Sequence, residues 1–95
     1  MKHSYVVFPD ETEVTYSDMD SKGNDRIRIE TPTDGGFKTY GCILPSYDVL
    51  ESAGYSANEL KSLREFLYNN AHLILEYAAA GGFENWSGKI LYEKI

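Results

Sequence analysis

The spacing of apolar residues in the second half of the chain predicts one long helix, from about residue 57 to residue 80. Ser56 and Glu59 fit a capping box, in which a serine hydroxyl and a glutamate carboxylate bind amides at the start of a helix. Gly81 and Gly82 follow the predicted helix, and glycine supplies the left-handed conformation at which helices commonly end. The helix therefore has a start signal and a stop signal of its own.

Two apolar stripes run along this predicted helix. The first consists of Leu60, Leu63, Leu67, Ala71, Ile74 and Ala78. The second lies beside it and consists of Phe66, Leu73 and Tyr77. Leu75 and Tyr68 flank the first stripe on its other side. Together these residues cover an arc of roughly 200°, about twice the width that a helix needs to cover one core. We therefore expect the helix to contact a sheet and also a further surface, either the C-terminal tail or another protein.

Alternation of apolar and polar residues in the first half predicts an antiparallel meander of about four strands. The clearest strand is 25–30, where Arg26 and Arg28 alternate with Ile27 and Ile29, so that one face is wet and the other buried. A tight hairpin turn is expected at Asp34-Gly35. The other predicted strands are 4–8, 12–17 and 37–44.

These elements predict a single α+β domain over residues 1–95, in which the helix covers one face of the sheet. We expect a meander in 1–44 and a connector with a short helix in 45–55. The long helix occupies 56–82, and a short strand or arm follows in 83–95.

The charge of the chain disfavours several classes of partner. Nine Lys and Arg stand against fifteen Asp and Glu, for a net charge of −6. Proteins that bind phosphate backbones or anionic membranes usually carry a basic patch, so nucleic acid is an unlikely partner and no membrane contact is expected. Cys42 is the only cysteine, which excludes an internal disulfide and favours a reducing, cytoplasmic location.

No motif indicates an enzyme, a cofactor or a metal. Residues 18–24 resemble the opening of a calcium-binding loop, but Lys22 and Ile29 stand where acidic ligands are needed, so a polar turn is predicted. His72 and Glu76 lie one helical turn apart without a nucleophile or further ligands, which predicts a solvated pair. Cys42 is expected to be buried in a strand, and His3 to be exposed.

The sequence therefore predicts a small, acidic, non-enzymatic protein-binding module of the inhibitor, antitoxin-like or adaptor type, in the style of short bacterial or phage open reading frames. Aromatic residues are the usual anchors of interfaces. The expected interface residues are Phe66, Leu73, Tyr77, Phe83, Trp86 and Tyr92.

Two alternatives remain open. The same apolar surplus is explained by a homodimer, in which a second copy is the partner. A sheet-face site for nucleic acid or another anionic ligand is the other alternative. It would use Arg26, Arg28 and Lys38, which are expected to share the wet face of the sheet.

Overall fold

A computed structural model describes residues 2–86 of the chain. These residues form a five-stranded antiparallel sheet with one long helix across one face. The elements are β1 (Lys2–Val7), β2 (Glu13–Ser17), β3 (Asp25–Thr33), β4 (Gly36–Leu44), β5 (Asp48–Ala53), α1 (Ala57–Ala80) and a 3₁₀ turn (Phe83–Asn85). The strands lie side by side in chain order, so β1 and β5 form the two edges of this sheet. The predicted α+β fold is confirmed, with five strands instead of about four.

The predicted ends of α1 are confirmed by their capping contacts. Ser56 Oγ accepts a hydrogen bond from the Glu59 amide at 3.2 Å, and Glu59 Oε1 accepts one from the Ser56 amide at 2.8 Å. At the other end Gly81 adopts the left-handed conformation, with φ of 83°, and its amide donates to the carbonyl of Ala78. Local sequence signals therefore determine both ends of the helix.

The short helix expected within residues 45–55 is wrong, because Asp48–Ala53 forms strand β5. It pairs with β4 from Ile43 opposite Asp48 to Thr39 opposite Ala53, with a bulge beside Gly41 and Cys42. This pairing satisfies backbone groups along the free side of β4. All six residues of β5 are exposed, so the strand lacks the alternation of buried and exposed positions that reveals a strand in a sequence.

The hydrophobic core lies between α1 and the inner face of the sheet. Its side chains come from both layers and are Val14, Tyr16, Ile27, Ile29, Tyr40, Cys42, Leu44, Leu67, Ile74 and Ala78. Cys42 is fully buried, as predicted, and burial raises the pKa of its thiol to about 11, with the charge of Asp25 as a smaller cause. A thiol in this environment stays protonated at neutral pH and serves as a small apolar group.

Polar contacts attach the first turn of α1 to the sheet. Lys38 Nζ, from β4, donates to Glu59 Oε2 at 2.9 Å. Thr31 Oγ1, in β3, lies 2.8 Å from the hydroxyl of Tyr55 and 2.6 Å from Thr12 Oγ1, so hydroxyl groups link β3 to the segments before β2 and before α1. The segment between β5 and α1 is thereby held against the inner face.

Residues 18–24 form the predicted polar turn between β2 and β3. Asp20 Oδ1 accepts hydrogen bonds from the amides of Lys22 and Asn24 at 2.9 and 3.0 Å, so the carboxylate stabilises the turn itself. Across residues 2–86 no group of three or more His, Cys, Asp or Glu side chains is arranged to hold a metal ion. Within the same range, no helix combines the length and the apolar character needed to span a bilayer.

Candidate functional site

Several residues predicted to form an interface lie in an aromatic cluster within the molecule. The ring centroid of Tyr77 is 4.9 Å from that of Trp86, 5.1 Å from that of Phe83 and 5.9 Å from that of Tyr5. The ring centroid of Phe66 lies 6.1 Å from that of Tyr5. The cluster therefore joins β1, α1 and the 3₁₀ turn. It covers part of the apolar surface of α1 that exceeds what one core needs.

The remaining predicted interface residues are distributed differently. Leu73 and Trp86 are partly buried, and Phe83 keeps 42% of its surface exposed. Tyr92 lies outside the described residues. Phe66 and Tyr77 also pack against the core, so the surface that is most available for a partner lies elsewhere.

Among residues 2–86, six large apolar side chains are exposed by between 42% and 76%. Three of them lie on or beside β5. The six are Val7, Phe37, Val49, Leu50, Tyr68 and Phe83. Val49 pairs with Cys42, so it projects toward the helix side of the sheet. There Val49 and Tyr68 line a depression of about 350 Å³ with Tyr40, Tyr47 and Arg64. Leu50, at the bulge, borders a depression on the opposite face.

The backbone of β5 is also available along one side. Among residues 2–86, β5 pairs with β4 and with no other strand, so its outward N–H and C=O groups have no strand partner there. Sheet edges in soluble proteins are often protected by charged residues, proline or bulges. Asp48–Ala53 contains no lysine or proline, and its protection consists of Asp48, Glu51 and the bulge opposite Gly41 and Cys42. We call β5 together with Val49, Leu50 and Tyr68 the β5 edge.

The outer face of the sheet, opposite α1, carries a second depression, of about 540 Å³. It is lined by Lys2, Thr15, Tyr16, Ser17, Arg26, Ile27, Arg28, Gly41, Leu50 and Glu51. Thr15, Arg28, Gly41 and Glu51 are successive cross-strand partners on β2 to β5, so they form one row on this face. Gly41 supplies no side chain to that row. We call this depression the Gly41 notch.

The structure brings together two of the three predicted cationic residues. Arg26 and Arg28 both line the Gly41 notch. The expectation that Lys38 shares their face is wrong, because the turn at 34–35 sets Thr33 opposite Gly36 and therefore Thr31 opposite Lys38. Lys38 lies on the inner face, bonded to Glu59 and 5.8 Å from the centroid of the Tyr55 ring.

Ion pairs with glutamate side chains partly neutralise the cationic residues of the Gly41 notch. Arg28 Nε lies 3.3 Å from Glu30 Oε1, and Arg28 Nη1 lies 3.4 Å from Glu51 Oε1. Lys2 Nζ lies 3.7 Å from Glu30 Oε1. Arg26 is exposed and forms no ion pair with any residue in the described part of the chain. Sequence reasoning missed Lys2, Leu50, Glu51 and Gly41, although a glycine inside a strand was a signal for the last.

The two histidines lie in different environments. His72 and Glu76 are both exposed on α1. The expectation that His3 is exposed is wrong. Its ring centroid lies 5.0 Å from that of Tyr16, and the ring packs against Gly82. His3 Nε2 lies 2.6 Å from Asp18 Oδ1, and this hydrogen bond lowers the pKa of Asp18. This hydrogen bond links the start of β1 to the turn that follows β2.

Comparison with models of known protein families gives no match, and comparisons with curated proteins and with solved structures give no significant match.

Proposed function

We propose that this chain is a small, non-enzymatic protein-binding module whose β5 edge pairs with an extended segment of another protein. The observation that carries the proposal is the combination of six exposed strand residues with an outer edge that no described strand covers. Extended peptides commonly bind proteins by adding a strand to such an edge. Through this edge the module would act as an inhibitor, an antitoxin-like protein or an adaptor.

The side chains around β5 would give the contact its specificity. A strand laid beside β5 presents alternate side chains to the two faces of the sheet. On the helix side these meet Val49 and Tyr68, which are 52% and 76% exposed. On the outer side they meet Leu50, which is 51% exposed. Main-chain hydrogen bonds would supply affinity, and these apolar contacts would select the sequence of the partner.

Charge favours a partner other than a second copy of the chain. β5 carries Asp48 and Glu51, and the whole chain has a net charge of −6. A second copy would bring the same carboxylates to the same edge, whereas a segment with lysine or arginine beside apolar residues complements them. The proposed partner is therefore a different protein with a basic, extended segment.

The test is a capture experiment with three matched baits. The wild type, a Val49→Lys/Leu50→Lys variant and a Val7→Lys variant are each tagged and exposed to nuclease-treated lysate of the source cells. Val7 is 58% exposed on β1, so its substitution introduces a lysine at the opposite edge of the sheet. The proposal predicts one stoichiometric protein on the wild type and on Val7→Lys, and its loss from the β5 variant.

Two results would contradict this assignment. Equal recovery of the partner on all three baits would place its binding site away from β5. A wild-type dimer in light scattering that the β5 substitutions convert to monomer would show that a second copy occupies the edge. Circular dichroism of each bait checks that the substitutions leave the fold intact.

A further inference from the structure

We infer that the Gly41 notch is a separate binding site for a small organic anion that carries a carboxylate or phosphate group. The notch lies on the outer face of the sheet, and its row of cross-strand partners crosses four strands. Its volume of about 540 Å³ falls within the range of roughly 300–1,000 Å³ that is typical of small-molecule sites.

The floor of the notch is formed by backbone and small side chains. Thr15 is 5% exposed, and its hydroxyl donates to the carbonyl of Arg28 at 3.3 Å. A Cβ atom at position 41 would lie 3.1 Å from Glu51 Cγ and 3.5 Å from the carbonyl oxygen of Ile27. A glycine in the interior of a strand often marks a place where a ligand approaches the backbone closely. A side chain at this position would take space on the floor of the notch and crowd Glu51.

The cationic side chains of the notch retain unused donors. Arg28 binds Glu30 through Nε and Glu51 through Nη1, which leaves Nη2 without an ion pair to the described residues. Arg26 has no such pair at all within residues 2–86. The planar guanidinium group matches the geometry of carboxylate and phosphate oxygens. Two arginines on one face therefore present donors to the same small volume.

The surroundings select a small organic ligand over a nucleic acid. Leu50, which is 51% exposed, contributes an apolar wall that suits a carbon skeleton. Among the residues that line the notch, three cations (Lys2, Arg26 and Arg28) stand against one carboxylate, Glu51, which is paired with Arg28, so a single anionic group is attracted. A long polyanion that extends beyond the notch would also meet Glu30. The net charge of −6 acts in the same direction.

The test is a titration of the full-length chain followed by ¹H–¹⁵N NMR at constant ionic strength. Citrate serves as the carboxylate probe and inorganic phosphate as the phosphate probe. We expect saturable shifts of the amide signals of Thr15, Arg26 and Gly41 with at least one of the two. Response to citrate alone identifies a carboxylate site, and response to phosphate alone identifies a phosphate site.

Three variants identify the groups that bind. Arg26→Gln removes the unpaired cation, and Gly41→Ala fills the floor by a methyl group that meets mainly the movable end of Glu51. Arg26→Gln is expected to raise the dissociation constant about tenfold, the factor that corresponds to one charge-assisted hydrogen bond. Gly41→Ala is expected to raise it as well, because the added methyl group takes space on the floor of the notch. Arg64→Gln removes an exposed arginine from α1, away from the notch, and should leave the constant unchanged.

The inference is overturned by any of three results. The first is that neither probe gives saturable shifts. The second is that Arg26→Gln and Gly41→Ala bind the probe as tightly as the wild type does. The third is a short oligothymidylate that binds more tightly than both probes and loses its affinity in Arg26→Gln, which would assign the face to single-stranded nucleic acid. A thermal melt of each variant confirms that it is folded.

Discussion

Asp25 is bound to Ser17 through one carboxylate oxygen only. Oδ1 accepts hydrogen bonds from the Ser17 amide at 3.0 Å and the Ser17 hydroxyl at 2.7 Å. Oδ2 is buried without a hydrogen-bond partner among the described residues, and the residue as a whole is 1% exposed. Burial raises the pKa of Asp25 from its ordinary value of 3.8 to about 6, against the opposing effect of the hydrogen bonds from Ser17.

This raised pKa predicts a specific pH dependence of stability. Because folding favours the protonated carboxyl, the contribution of Asp25 is full below about pH 4 and is lost as the pH rises through about 6. The difference between the ordinary pKa of 3.8 and the raised pKa of about 6 corresponds to up to about 3 kcal/mol of unfolding free energy. Asp25→Asn should therefore unfold at a higher temperature than the wild type above pH 6, and at a similar temperature below pH 4.

The difference between the two proteins is the quantity to measure. Other carboxylates, such as Asp20 and Glu59, have pKa values lowered by backbone hydrogen bonds, so they destabilise both proteins as they are protonated. Thermal melts across this pH range isolate the effect of Asp25. A constant gap between the two melting temperatures would show that Asp25 has the same pKa in the folded and unfolded chains.

Truncation of two tyrosines of α1 to alanine should reduce the stability of the protein to very different extents. Tyr77 contacts Tyr5, Phe83 and Trp86 within the aromatic cluster, so Tyr77→Ala is expected to cost about 2–4 kcal/mol of unfolding free energy. Tyr68 is 76% exposed, and Tyr68→Ala should change stability by less than about 0.5 kcal/mol. Urea unfolding of both variants makes the comparison, and equal losses of unfolding free energy would contradict the packing of Tyr77 in the aromatic cluster.

The capping box should contribute measurably to the stability of α1. Ser56→Ala removes the hydroxyl that accepts from the Glu59 amide and is expected to cost about 1 kcal/mol. Ser62 is an exposed serine within the same helix, and Ser62→Ala should be neutral or slightly stabilising because alanine has the higher helix propensity. If the two substitutions have the same effect in chemical unfolding, the cap contributes nothing.

The elements with local signals were predicted well from the sequence. The capping box and Gly81 define α1 at Ala57–Ala80, in agreement with the expected limits. The alternation around Ile27 and Ile29 identifies a strand that is buried on one face, and both residues lie in the core. The hairpin turn before β4 is also where the sequence places it.

The features that were missed depend on contacts distant in sequence. β5 has no buried side chain, so nothing in its pattern distinguishes it from a short helix or a loop. Lys38 is the exception: its predicted face is wrong even though the local register of the two-residue turn at 34–35 places it opposite Thr31. The burial of Tyr77 depends on Tyr5, more than seventy residues earlier, and no local pattern carries that information.

The central claim, that β5 receives a strand from another protein, is tested most directly by hydrogen–deuterium exchange of the complex with the captured partner. If the claim is right, binding slows the exchange of amides in residues 48–53, because those that face outward become hydrogen-bonded in the added strand. The amides of β1, at the opposite edge, should exchange at unchanged rates. Protection confined to any other part of the chain, with β5 exchanging as in the free protein, would contradict the claim.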